Sequence, residues 1–131
     1  MFILLLDNTF NITNVLTFSD VHFEPVTFTE GDNLDLTCSL SKGSYSAISL
    51  SKVNKGNVNN LAIFYSNGST DVLVVRESTT KRKEKKNVTL MTLRLKNARC
   101  DDNSTYMCTH DSGQVSMGDA LFQSKFLLKI V

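Results

Sequence analysis

An all-β fold is predicted by three stretches in which apolar and polar residues take turns. Leu34, Leu36, Cys38 and Leu40 stand at every second position, between Asp35, Thr37 and Ser39. On an extended backbone that spacing gives one dry face and one wet face. Met91, Leu93 and Leu95 repeat the pattern against Thr92, Arg94 and Lys96, and Ser104, Tyr106 and Cys108 repeat it again. Turn-forming residues punctuate the strands at Gly31-Asp32, Gly56-Asn57 and Asn67-Gly68, each supplying a backbone shape that strands cannot hold.

The elements follow in chain order. Met1 to Leu6 is the longest apolar run, and six residues cannot cross a bilayer that requires about twenty. Because a basic start and a small-residue cleavage site are both missing, residues 1–19 read as a lead-in or the remnant of a leader, with Asn8–Ser19 a lead-in or a weak edge strand. Val21 to Phe28 is extended, and Pro25, which brings no N–H to a ladder, confines it to a sheet edge or a bulge. A turn at Glu30–Asn33 enters the strand Leu34–Leu40. Ala47–Val53 is the next strand, followed by a turn at Asn54–Asn57 and a strand Leu61–Tyr65. Asn67-Gly68 marks a tight turn before a short strand at Val72–Val75. Lys81–Lys86, five basic residues around Glu84, reads as the solvated tip of a hairpin. Val88–Leu95 and the strand holding Tyr106 and Cys108 come next, then a loop Thr109–Gly118 and a last strand near Phe122–Ile130.

One stretch carries a resemblance. Leu93-x-Leu95, a turn, and then Asp102-x-Ser104-x-Tyr106-x-Cys108 resembles the corner between strands E and F of the immunoglobulin superfamily, and Gly31-Asp32 before Leu34-x-Leu36-x-Cys38 resembles the entry to its strand B. The resemblance spans residues 20–131 and implies an immunoglobulin-like, variable-type antiparallel β-sandwich with Greek-key topology. It implies a bridge between Cys38 and Cys108, a bond from the Tyr106 hydroxyl back to the turn containing Asp102, and a core that includes Leu36, Leu50, Leu93 and Leu95. The two cysteines lie 70 positions apart, a separation similar to that of variable-type domains. The family's usual tryptophan is absent, so Ile48 or Leu50 must fill the space beside the bridge. No F-G-x-G follows the last loop, which argues against antibody-style chain pairing. Cys38-Ser-Leu40 with Ala47–Asn54 is also similar to the amino-terminal domains of molluscan fibrinogen-related lectins.

Composition narrows the function. At 131 residues and net charge +1, with 41% hydrophobic residues, the chain is one globular domain. It has no overall attraction for nucleic acid. No cofactor or metal is called for: His22 and His110 stand alone, with no zinc spacing, nucleophile elbow or phosphate loop. His110-Asp111-Ser112 is too local for a catalytic triad. An enzyme is therefore not expected. Cys100 is the odd cysteine, an unreactive thiol or a link to a second chain. Asn11, Asn67, Asn87 and Asn103 head N-x-Ser/Thr acceptor sequences for glycosylation. Lys81, Arg82, Lys83, Lys85 and Lys86 form a candidate patch for a sulfated polyanion, although no aromatic residue is interleaved to stack bases. The resemblance implies an extracellular or secreted recognition or adhesion module with a protein or glycan ligand, which meets loops B–C, C′–C″ and F–G or the flat sheet face beside them.

Overall fold

The computed structural model describes residues 20–124 apart from Lys42. Asn11, the expected lead-in and the far part of the expected last strand lie outside the described residues. Ten strands appear among the described residues: β1 Val21–Glu24, β2 Val26–Phe28, β3 Leu34–Ser41, β4 Ala47–Asn54, β5 Asn57–Tyr65, β6 Thr70–Val72, β7 Ser78–Glu84, β8 Val88–Leu95, β9 Ser104–His110 and β10 Val115–Phe122. They form a four-stranded sheet in the order β1-β3-β8-β7 and a six-stranded sheet in the order β2-β10-β9-β4-β5-β6.

The registers explain why these strands meet. β3 and β8 pair antiparallel with Leu34 opposite Leu95, Leu36 opposite Leu93 and Cys38 opposite Met91. The two dry faces therefore coincide, and a slip of one residue would turn both sets of side chains toward water. Phe23, Leu36, Ile48, Leu50, Phe64 and Leu93 are wholly buried between the sheets, and Leu95 nearly so. The bridge Cys38–Cys108 joins β3 to β9 across this core, with the Cα atoms 5.9 Å apart. Leu50 is the β4 register partner of Cys108, so an aliphatic side chain stands beside the bridge where a tryptophan would be expected.

Four details depart from the sequence expectations. Pro25 does more than mark an edge: β1 pairs antiparallel with β3 in one sheet, while β2 runs parallel to β10 in the other. The chain changes sheets at the one residue without an N–H. β6 begins at Thr70 and ends at Val72, so Leu73, Val74 and Val75 fall in the connection to β7 rather than in a strand. The expected hairpin tip at Lys81–Lys86 is mostly strand, because β7 runs to Glu84 and pairs with β8, placing Arg82 opposite Met91. β7 has no apolar residue, so hydrophobic alternation could not reveal it.

The fourth departure is at the carboxyl end. The connection after β9 is a tight turn at 111–114, not a loop reaching Gly118, and β10 starts at Val115. Gly118 lies inside that strand for a packing reason. A Cβ there would come 2.6 Å from Cδ2 of Phe23, a wholly buried ring. The glycine lets β1 approach β10, a use that resembles a loop signal when only the sequence is read.

Candidate functional site

The scaffold under the site is pinned at one end of β9. Tyr106 is wholly buried, and its hydroxyl donates to the carbonyl oxygen of Asp102 at 2.7 Å. Burial, with the Asp102 charge nearby, pushes the phenol far above the usual tyrosine range. Asp102 closes a short 3-10 turn, Cys100–Asp102. Its carboxylate accepts from Arg76 Nη1 at 2.7 Å and from the backbone N–H of Arg99 at 2.9 Å. Burial alone would raise this carboxyl, but the Arg76 and Arg99 donors outweigh it and hold the group below its ordinary value. Arg76 also donates to the carbonyls of Lys96 and Asn97, so one guanidinium ties the β6–β7 connection to the β8–β9 corner.

β9 and its neighbours then present their other face to solvent. Because Tyr106 and Cys108 point inward, Met107 and Thr109 point outward. The register aligns Met117 of β10, Met107 of β9 and Ser51 of β4 in one row across the sheet, and Val115, Thr109 and Ser49 in the next. Val58, Val115, Met117 and Leu121 are each about half exposed. The carboxylates on this face are already engaged, Asp119 by the Thr105 hydroxyl at 2.8 Å and Asp71 by the Tyr65 hydroxyl at 3.0 Å. No lysine or arginine occupies an outward register position of β9, β10 or β4 among the described residues. The result is an outer face of thioethers, branched aliphatics and small hydroxyls.

At one rim of this face lie the β3–β4, β5–β6 and β9–β10 loops, fixed by the buried His110 together with Asp111 and the half-buried Arg82. His110 accepts the Ser112 N–H at Nδ1, 2.9 Å, and its Nε2 lies 3.1 Å from the carbonyl of Ser44. With Nδ1 accepting, Nε2 is the nitrogen that carries the proton and donates to Ser44. Asp111 adds a second tie. Slight burial would raise its carboxyl, yet the N–H groups of Ser46 and Ala47 hold it below its ordinary value. Arg82 reaches across from β7, donating to the carbonyl of Tyr65 at 2.7 Å and to Ser69 and Thr70 while lying 5.5 Å over the Phe64 ring. It also lies 3.3 Å from the Tyr45 hydroxyl. At the opposite end a cleft of about 340 Å³ opens beside Leu61, Leu73 and Val75. Two of the cations lining it, Arg76 and Lys52, are already bonded to Asp102 and to the Asp101 carbonyl.

The structure sorts the residues singled out from sequence. Leu36, Leu50, Leu93 and Leu95 lie in the core with the Cys38–Cys108 bridge, and Asp102 and Tyr106 meet at the corner. Cys100 is a free, exposed thiol on the 3-10 turn. Asn67, Asn87 and Asn103 are exposed. Arg82 does not belong with the lysines: alternation turns it toward the core while Lys81 and Lys83 face water, and its guanidinium is spent on the loops. Lys81 and Lys83 lie on an edge strand, where lysines blunt the unpaired backbone against pairing with another chain. Sequence reading missed Arg76 and the structural role of His110. His110 continues the alternation of Tyr106 and Cys108, which is the signal that could have found it. Arg76 had no such signal, because its partner lies 26 residues away in an unrelated segment.

Two stacked sheets with an inter-sheet bridge and a tyrosine pinned to its corner define a variable-type immunoglobulin domain. The sequence profile of the immunoglobulin V-set domain matches residues 23–131, and the chain belongs to that family. V-set domains are typically non-enzymatic binding modules. Among curated proteins, none matches the sequence. No helix among the described residues is long and apolar enough to cross a membrane.

Proposed function

We propose that this chain is an extracellular recognition or adhesion module that receives a protein or glycan partner on the outer face of β10, β9, β4 and β5, with the three adjoining loops framing the contact. One observation carries the reading. The exposed aliphatic and thioether side chains of Met117, Val115 and Val58 share a face without free basic groups, and surface patches of that kind commonly mark contact sites. The family supports a binding role, and the bridge suits an oxidising compartment. An innate-immune role is the narrower form, supported by the resemblance to molluscan lectin domains. The ectodomain of an adhesion protein or receptor is the other form.

The test is multivalent. The folded chain, biotinylated at one terminus and assembled on streptavidin, is applied to a panel of cells and to immobilised glycans. Met117→Lys and Val115→Lys are expected to abolish any wild-type signal, while Ser39→Lys on the opposite sheet leaves it intact. Equal loss from all three would sink the face assignment. A second reading, polyanion binding, rests on Lys81 and Lys83 facing water beside Lys85 and Lys86 at the hairpin tip. It predicts heparin retention that weakens with salt and vanishes when those four lysines are neutralised. Retention that survives the four changes rules it out.

A further inference from the structure

We propose that Asn67 and Asn87 carry N-linked glycans, which cover the β6–β7 side of the loop end and leave the outer face of β10, β9 and β4 open. The inference rests on the extracellular reading above. Each asparagine heads an acceptor sequence, Asn67-Gly68-Ser69 and Asn87-Val88-Thr89. Each lies exposed outside a strand, on a tight turn and a hairpin tip respectively.

The Asn67 turn has the more telling geometry. Its Oδ1 accepts the Ser69 N–H at 2.9 Å and the Ser69 hydroxyl at 2.7 Å. The turn thereby places the hydroxyl that defines the acceptor sequence against the side chain to be modified, and Nδ2 takes no part in either bond. At Gly68, with φ +97, no atom outside the two adjoining residues lies within 4 Å of where a Cβ would stand, so the rest of the fold leaves the turn open. Asn87 sits where the backbone bond from Lys85 to Val88 closes the β7–β8 hairpin. Arg82 binds the Ser69 carbonyl from β7, which holds the Asn67 turn against the strand that leads to Asn87. Both asparagines therefore belong to the same side of the same end. Asn103 differs: its Oδ1 accepts the Phe122 N–H at 2.8 Å, so that carboxamide fastens the end of β10.

The modification is a group transfer. Nδ2 gives up one proton and forms a C–N bond to the anomeric carbon of the glycan. The bond from that carbon to a lipid diphosphate carrier breaks, and the lipid diphosphate leaves with the electron pair. The modified amide keeps its Oδ1, so the bonds from Ser69 persist. A sugar on Asn87 also stands beside Lys85 and Lys86, and shields half of the lysines that the polyanion reading requires.

The test uses the full chain, exported behind a secretion leader from cultured animal cells. After removal of N-glycans by an amidase that leaves aspartate, peptide mapping is expected to show Asn-to-Asp conversion at positions 67 and 87. Asn67→Gln and Asn87→Gln should each remove the mass of one glycan; Asn87→Gln should leave Tm in place, whereas Asn67→Gln also loosens the turn that its Oδ1 ties to Ser69. Asn87→Gln should also elute from heparin at higher salt than the wild type. Unconverted Asn67 or Asn87 in secreted, folded protein overturns the sites, and unchanged heparin elution of Asn87→Gln overturns the shielding. Entry into the lumen is imposed here, so failure speaks to the sites alone. Failure of the extracellular reading would appear instead as intracellular retention of the product of the natural transcript.

Discussion

At the residue scale, Tyr106 and Asp102 show how one corner stabilises the whole strand pair. Tyr106→Phe keeps the ring in place, stacked 6.0 Å from Phe23, but leaves the Asp102 carbonyl without its donor. The expected loss is about 1–3 kcal/mol in urea titrations, and an unchanged midpoint would show that water replaces the hydroxyl. The same corner sets a pH dependence. The Asp102 carboxyl is held below its ordinary value of 3.8 in the folded chain, and Asp35 is held below it too by its bidentate bond with Arg94. Their stabilising contribution is therefore complete above the unfolded value and is withdrawn as pH falls through the lower folded values. The Tyr106 phenol is displaced upward, so its contribution is complete below the ordinary value of 10.0 and declines as pH rises beyond it. The urea midpoint measured across pH should be flat between these limits and fall on both sides. Asp102→Asn should flatten part of the acid limb.

At the element scale, the edges and crossings carry the informative residues. Gly118→Ala pushes a methyl group into the Phe23 ring, and overpacking of this kind costs about 1–3 kcal/mol. The check is thermal unfolding of Gly118→Ala beside Gly113→Ala. The second substitution strains a left-handed turn position, φ +99, with no clash, so a loss confined to it would refute the packing account. β7 gives a different prediction. Lys81→Val with Lys83→Val should leave Tm within a degree or two but raise self-association in size-exclusion chromatography, because a flat uncharged edge strand offers its backbone to a second copy. A monomeric double variant would remove the protective role.

At the scale of the molecule, the bridge closes a span of 70 residues between the sheets. In the chain-entropy model a loop of that length is worth about 4 kcal/mol, a large part of the net stability of a small domain. Cys38→Ala with Cys108→Ala, or full reduction, should lower the urea midpoint by the equivalent amount with little change in slope. A steeper drop accompanied by loss of cooperativity would mean that the two sheets do not hold together on packing alone.

Much of the architecture was legible because half-buried strands write a period of two into their residues. β3, β8 and β9 show it, and the turns between them use residues that only turns favour. The corner motif added the pairing of Asp102 with Tyr106. What the chain text could not disclose was anything that depends on side chains meeting across sheets. β7 has a backbone partner but no apolar face, Gly118 is a contact rather than a break, and Arg82 resembled a surface cation until the fold put Phe64 under it. Residue order was enough for the alternating strands β3, β8 and β9, and the corner motif was enough for the family and the bridge it implies, since these rest on local periodicity or a short motif. The tertiary structure alone decided which cations are engaged, which asparagines stand clear and which sheet face is left bare, because those outcomes depend on distances between residues far apart in the chain.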